Sequence, residues 1–415
     1  MTKVVGVRVS LSALPTETCV SVIFYTEGMK ILVVLPRFPY PLEKGDKLRA
    51  FHQLRTLSQS HEIYLVALYE GNLSPASIEK LQPFCVEIHT VKLSLASKLF
   101  HTTAAFFRGL PLQCGYFYRN SAKKVIDEIV QRVRPDRIYC QLIRTTEYVK
   151  DIQIKKILDY QDVLSKGMQR RREMASAVFK PFFNCEYRRL VRYEEYIFPF
   201  FDEKVIITEV DRNLIPHPDS AQIHVVANGV DFATFKERDC PKEYDLIFSG
   251  NMGYAPNIEA AEYLAKEIVP QLVMQFPNLK LAICGANPSP KVQSLRSEHV
   301  IVTGWVDNMA DYYAKSRIFI APMHLGTGLQ NKLLEALAMR IPCITSELAG
   351  APLKGIEYGK EIVICSTTVG YVEAVKLLLE NPAKYAEIAE NGYQFVCKNY
   401  NWETINQQLE NILTD

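Results

Sequence analysis

Short apolar runs separated by helix-length stretches recur along almost the whole chain, and that alternation leaves few folds open. In the first half, Ile31–Leu35, Ile63–Leu68, Arg137–Cys140, Lys155–Asp159 and Lys204–Thr208 read as strands. Between them, Leu48–Ser60 puts Phe51, Leu54 and Leu57 at helical spacing, and Ala122–Val133 puts Val125, Ile126, Ile129 and Val133 on one face. Gln169–Phe200 is a long, charge-laced helical region. The second half repeats the pattern, with strands at Tyr244–Phe248, Lys280–Cys284, Val300–Thr303, Ile318–Ala321 and Pro342–Thr345 and helices at Ile258–Phe276 and Val369–Glu380. Apolar strands alternating with helices imply parallel sheets covered on both faces. The predicted fold class is α/β, with two Rossmann-like domains facing a central cleft. Open parallel sheets bind ligands beyond the carboxyl ends of their strands, so a cleft is the expected place for a site.

A chain of 415 residues is too long for one ordinary core. Four segments are expected: residues 1–28 as a disordered N-terminal extension, 29–235 and 236–398 as the two domains, and 399–415 as a C-terminal helix packing back on the first. Met29-Lys30 directly before the first apolar run looks like the real beginning of the fold. Asn228-Gly229 marks a tight turn, and the polar stretch Phe232–Glu243 reads as a linker. A net charge of only +2 argues against a nucleic-acid partner. Ten scattered cysteines without a C-x-x-C pair fit a reduced, cytoplasmic chain rather than a disulfide scaffold. No apolar run is long enough to predict a membrane-spanning helix.

The chemistry concentrates where the Ile318–Ala321 strand meets a Gly-rich turn, and the turn opens a helix at Asn331. Gly326, Thr327 and Gly328 bring backbone N–H groups to the positive end of that helix, where an anion can sit. Lys332 falls in the first helical turn, and Glu335 follows on the same face. The layout suits a diphosphate bearing a hydroxylated group, hence a nucleotide sugar. A lysine about 4 Å from a departing anion contributes about 4 kcal/mol in partly screened surroundings. A helix terminus contributes about 0.3–2 kcal/mol, so Lys332 is expected to dominate and is a candidate catalytic residue. Gly250 and Asn251 end a strand where the chain can approach a phosphate. Gly45 and Asp46 stand just before a helix, with Asp46 either helping a loop close over donor phosphates or serving as an N-cap. Asp159 and Asp162 flank a strand end, and Asp162 reads as a sugar or acceptor contact, or as a turn cap. His324 adjoins the Gly-rich turn without a clear role.

Together these segments resemble a GT-B glycosyltransferase, and more narrowly the retaining family four. The resemblance runs from about Lys30 to the C-terminus. It rests on Phe248-Ser249-Gly250-Asn251-Met252 with Pro256-Asn257, on Val302-Thr303-Gly304-Trp305-Val306, on Ala321-Pro322-Met323, and on Asn331-Lys332-Leu333-Leu334-Glu335-Ala336-Leu337-Ala338. In the first domain it rests on Pro36-Arg37-Phe38-Pro39-Tyr40-Pro41 followed by Lys44-Gly45-Asp46. Bacterial sugar transferases of exopolysaccharide and exosortase-linked clusters share the Gly-x-Gly-x-Gln-Asn-Lys style of turn.

The resemblance implies an acceptor-side first domain and a second domain that binds the donor through Gly250, Asn251, Gly326, Thr327, Gly328, Asn331, Lys332 and Glu335, the last on the ribose. Trp305 and Val306 would lie beside the nucleobase. Thr327 stands where relatives often carry a glutamate for sugar hydroxyls. The implied activity is metal-independent transfer of a sugar, with retention, to a glycan or lipid-linked acceptor in polysaccharide or glycolipid biosynthesis. No cofactor is expected beyond the nucleotide diphosphate sugar. The rival readings are a catalytically silent GT-B binding subunit and a sugar-nucleotide epimerase. Ser94–Arg119 mixes Leu95, Leu99, Phe106, Phe107, Tyr116, Phe117 and Tyr118 with cations, and reads either as a membrane-interface segment or as a buried helix pair. The first alternative implies peripheral contact at the inner face of the cytoplasmic membrane, to which the run Lys166–Arg172 would add charge.

Overall fold

The computed structural model describes residues 28–325 and 328–414, and the expectations placed on residues 1–27, Gly326 and Thr327 lie outside the described residues. The chain folds into two compact units. The first takes in the chain up to Ile206, Arg212–Val225 and the residues from Gln408 on, while the second comprises Ile207–Asp211 and Val226–Gln407.

The sheet of the first unit contains β1 (Lys30–Leu35), β2 (Glu62–Tyr69), β3 (Glu87–Lys92), β4 (Arg137–Gln141), β5 (Lys156–Gln161), β6 (Glu203–Ile206) and β7 (His224–Val225), in the order β3-β2-β1-β4-β5-β6-β7. That of the second unit contains β8 (Tyr244–Ser249), β9 (Leu281–Cys284), β10 (Val300–Gly304), β11 (Ser316–Ala321), β12 (Cys343–Thr345) and β13 (Val363–Ile364), in the order β10-β9-β8-β11-β12-β13. Every pairing is parallel. Ile31–Leu35 and Leu246–Phe248 are fully buried, as strands covered on both faces must be. Strand order reverses between β1 and β4 in one unit and between β8 and β11 in the other. Connections leave those strand ends in opposite directions, which opens a crevice at each carboxyl edge.

Several boundaries differ from expectation. The unit boundary falls at Val226 rather than at 235/236, because Val230 donates its N–H to Tyr400 O (2.8 Å) and Gly229 lies against the Trp402 ring, both in the second unit. The Trp402–Thr414 helix is divided between the units, its residues from Gln408 on belonging to the first. There Arg137 Nε donates to Leu413 O at 2.8 Å. The long Gln169–Phe200 region is two helices, Leu164–Met174 and Lys180–Ile197. Pro181 sits in the first turn of the second, where its missing N–H costs nothing, and its ring would clash with a helix continuing from upstream. Pro270 interrupts Ile258–Phe276 in the same way, and a π turn at Leu264–Ile268 absorbs it. The unanticipated strands β3, β7 and β13 all lie at sheet edges. Edge strands bury less and carry a weaker apolar signal.

Candidate functional site

The crevice of the second unit is lined from the chain segments that leave β8, β9, β10 and β11. Three backbone bonds tie these segments together: Gly250 N to Cys284 O (3.0 Å), Gly285 N to Gly304 O (3.1 Å) and Met252 N to Ala286 O (2.8 Å). A Cβ on Gly285 would lie 1.8 Å from Gly250 O, and φ there is +136°, so only glycine allows this approach. Gly250 likewise has φ +152°, and a Cβ on it would meet Asn257 Nδ2 at 2.7 Å. Asn251 is exposed at the rim, its Oδ1 accepting from Gly253 N (3.0 Å).

The helix after β11 spans Asn331–Ala338, which puts Lys332 in its first turn. Gln330 at the N-cap makes no side-chain cap hydrogen bond to the first-turn N–H groups. The ammonium of Lys332 donates to Asn257 Oδ1 (2.7 Å) and lies 4.6 Å from the centre of the buried Phe248 ring. Asn257 Nδ2 in turn donates to Asn251 O at 3.0 Å, joining the lysine to the strand-end loop. Burial lowers Lys332 from the ordinary lysine range to about 7, against the opposing pull of Glu335. Burial raises Glu335 to about 7, opposed by a hydrogen bond from Tyr313 (3.0 Å) and by Lys332. Both side chains nevertheless retain partial contact with solvent. Lys332 is thus neither an outward-facing helix lysine nor one sealed in the core. It is a half-desolvated cation aimed beside the strand ends, where it attracts a phosphate oxygen more strongly than a fully solvated ammonium would.

Other expected residues of this unit are placed as follows. Asn331 Oδ1 accepts from Asn228 Nδ2 at 3.2 Å. Gly328 has φ +76°, which the turn requires. Trp305 is 61% exposed on the segment after β10, so it does not fill the core, and Val306 beside it is half-buried. His324 is paired with Glu259 (2.8 Å) and rests edge-on against Tyr263. Asn257 and Tyr313, which orient Lys332 and Glu335, were absent from the expected site. Asn257 stood inside one of the recognised segments, whereas Tyr313 carries no local signal.

The first unit changes three expectations. Gly45 and Asp46 do not precede the helix but form its first turn, Gly45–Leu57, and the N-cap is Lys44. Asp46 forms an ion pair with Arg37. The Asp46 carboxylate thus holds Arg37, which with the exposed Lys44 supplies positive charge in this loop. Asp162 is exposed immediately after β5, and its carboxylate makes no hydrogen bond among the described residues, so it is not a turn cap. Its neighbour Asp159 is wholly buried in an ion pair with Arg49 (2.6 Å) and accepts from Tyr139. Beyond β4, Arg144 approaches the ring that Arg37 also approaches, with guanidinium carbons 5.1 and 5.7 Å from the centre of Phe117. Burial, and then Arg37, pushes Arg144 down to about 10.

Residues 243–381, which hold the sheet of the second unit and the Asn331–Ala338 helix, match the family described as "Glycosyl transferases group 1". An uncharacterized 44.6 kDa protein in the cps region of Klebsiella pneumoniae is 23% identical over 393 residues, 89% of this chain and 96% of that protein. Sucrose-phosphate synthase from Thermosynechococcus elongatus superposes with a TM-score of 0.65 at 15% identity, covering 92% of this chain and 98% of its own. Anabaena Alr3699/HepE, solved in complex with UDP and glucose, gives a TM-score of 0.64 at 15% identity over 93% and 99%. The fold is therefore two parallel-sheet Rossmann-like domains, as in the GT-B glycosyltransferases, and residues 243–381 are similar to the group 1 glycosyl transferases.

Proposed function

We propose that the protein transfers a sugar, with retention, from a nucleoside diphosphate sugar to the hydroxyl of a glycan or lipid-linked acceptor. The observation that carries this reading is Lys332. Its ammonium is half-desolvated, is fixed by Asn257 at the carboxyl end of a parallel sheet, and lies within the residues that match the group 1 glycosyl transferases. A neutralising anion relieves the cost of burying that cation, and a leaving diphosphate gains charge as the bond breaks. In the reaction the bond from sugar C1 to the diphosphate oxygen breaks, with its electron pair going to that oxygen. The acceptor oxygen forms the new bond to C1 on the same face, and its proton passes to the departing phosphate. No protein nucleophile and no divalent ion enter this scheme, since Lys332 and the first-turn N–H groups take the ion's place.

Glu335, oriented by Tyr313, fits a ribose hydroxyl, and exposed Trp305 offers a face on which a base can stack. That HepE was crystallised with UDP and glucose supports this kind of donor. On the acceptor side, Arg37 and Arg144 suit a phosphate-bearing substrate, and Asp162 suits a sugar hydroxyl. The Klebsiella relative's cps region is consistent with polysaccharide biosynthesis. A cytoplasmic site of action at the membrane face follows if the acceptor is lipid-linked. The test is release of nucleoside diphosphate from a panel of nucleotide sugars, with and without acceptor glycans. K332M should lose release by about 100-fold or more. Unchanged turnover in K332M would overturn the site, and tight nucleotide binding with no turnover across the panel would favour a silent binding subunit.

A further inference from the structure

The Leu95–Phe107 helix is amphipathic in the inverse sense. At about 100° per residue, its exposed positions form one continuous sector of about 140°. That sector holds Leu95, Leu99, Phe100, Phe106 and Phe107, with Ala96 and Thr103 between them, and it contains no charged residue. Leu95 and Phe107, at opposite ends, are 82% and 81% exposed. Thr103 turns its hydroxyl back onto Leu99 O at 2.8 Å, so even the one polar side chain there is satisfied by the helix itself. The polar residues face inward. Lys98 pairs with Glu70 (2.5 Å) over the Tyr116 ring, and His101 packs edge-on against Tyr118. Ala105 and His101 approach Gly115 so closely that a Cβ there would lie 2.6 Å from Ala105 Cβ. A helix docked in this way is held by its polar and small residues and shows its apolar residues outward. The buried helix pair considered from sequence is thus excluded for these side chains, whereas Phe117 is buried.

A second exposed apolar group adjoins it. Arg189 lies 4.5 Å over the Phe106 ring and donates to Leu110 O at 3.0 Å, which fixes the Lys180–Ile197 helix beside the first. Phe182 is two turns before Arg189 on the same face, and Val178 and Phe179 precede it; all three are more than half exposed. Cations flank the apolar residues, with Arg108 next to Phe107 and Lys180 between Phe179 and Phe182, both exposed. Residues 94–119 carry three lysines and arginines and no acid, and residues 164–182 carry five and one acid, in a chain whose total excess is only +2.

We infer that this surface of the first unit docks onto an anionic lipid bilayer, with the Leu95–Phe107 helix lying in the interface plane and Val178, Phe179 and Phe182 inserting beside it. The occupant is lipid because the exposed sector offers no hydrogen-bonding group for a protein partner to pair, while its flanks offer a net positive charge to headgroups. This deepens the lipid-linked acceptor reading above by assigning the surface that would bring the protein to such a substrate.

The test uses the full chain with sedimented vesicles of phosphatidylcholine, alone and with added phosphatidylglycerol. The protein should bind the anionic vesicles and lose most of that binding in high salt. L99E and F107E should each weaken it at least about tenfold, because each removes a fully inserted apolar side chain. K180E should weaken binding to anionic vesicles and leave the residual binding to phosphatidylcholine unchanged. Circular dichroism should show the variants folded, since both apolar side chains point away from the protein. Nucleoside diphosphate release from soluble donors should persist in L99E, so a failure of the docking surface is separable from a failure of the transferase reading. Absence of vesicle binding would overturn the proposal. So would a wild-type dimer that L99E converts to monomer, which would assign the surface to a second copy of the chain.

Discussion

If Lys332 holds the donor diphosphate as proposed, nucleotide affinity should depend on pH in a direction and size that can be worked out beforehand. Burial holds its ammonium near 7, far below an ordinary lysine. A diphosphate placed beside it favours the charged form, so binding above that pH requires uptake of a proton. The dissociation constant then scales as about 1 + 10^(pH − 7), and rises about 50-fold from pH 7 to pH 9, or about 2.3 kcal/mol. Phosphate's own second ionisation lies near 6 and is complete in this window. Calorimetry with UDP in buffers of different ionisation heat should show about half a proton taken up at pH 7 and nearly one at pH 8. Glu335 titrates over the same range, with its folded value raised by burial, so E335Q isolates the lysine's contribution. The slope should survive in E335Q and vanish in K332M. At pH 7, K332M should also lose part of the about 4 kcal/mol attraction expected for a cation at 4 Å. The same shift bears on stability. Between about 7 and 10.5 the unfolded chain binds the lysine proton and the folded one does not, so the protein by itself should gain stability as pH rises through that window. A wild-type affinity that stays flat from pH 7 to 9, or a K332M variant with the same slope, would refute the assignment.

W305A should weaken binding of the nucleotide by about 1–3 kcal/mol while leaving the preference among sugars intact, as titration with UDP and UDP-sugars would show. Glu194 is fully buried in the first unit, with one carboxylate oxygen accepting from Ser165 N at 2.9 Å, and burial raises it to about 7. The folded state therefore holds a proton that the unfolded state has lost between about 4.5 and 7, and stability declines as pH rises through that range. E194Q should match wild type in urea denaturation at pH 5 and exceed it at pH 8 by at most about 3 kcal/mol. G285A should destabilise the second unit by more than about 3 kcal/mol, since its Cβ would collide with Gly250 O and the backbone there has φ +136°. An unfolding profile unchanged from wild type would contradict the close approach of the two strand ends.

The alternation of apolar runs and helices was enough to read the two parallel sheets, because strands buried on both faces cannot hide their composition. It did not reveal β3, β7 and β13, which lie at edges and are short or half-exposed. In the site, the spacing of Lys332 and Glu335 was legible because both sit on one helix turn. Tyr313, which orients Glu335, and Asn257, which holds Lys332, were not, since each meets its partner only across the sheet's carboxyl edge. Asp46 was misread for a related reason. Its sequence position fits a helix cap, but the helix starts at Gly45 with Lys44 as its N-cap, and Asp46 pairs with Arg37 nine residues earlier. The apolar character of Leu95–Phe107 was plain in the sequence, whereas its orientation depended on Gly115, where the absence of a side chain lets the helix lie down on its polar face.

The contact of Gly250 and Gly285 has a consequence for how such a domain can diversify. Two main chains touching without side chains between them form a rigid weld at the floor of the crevice, insensitive to the composition of the loops above. Under the proposed function, exchanging rim residues such as Asn251 and Trp305 would change contacts to a base or sugar without moving the floor that the weld fixes.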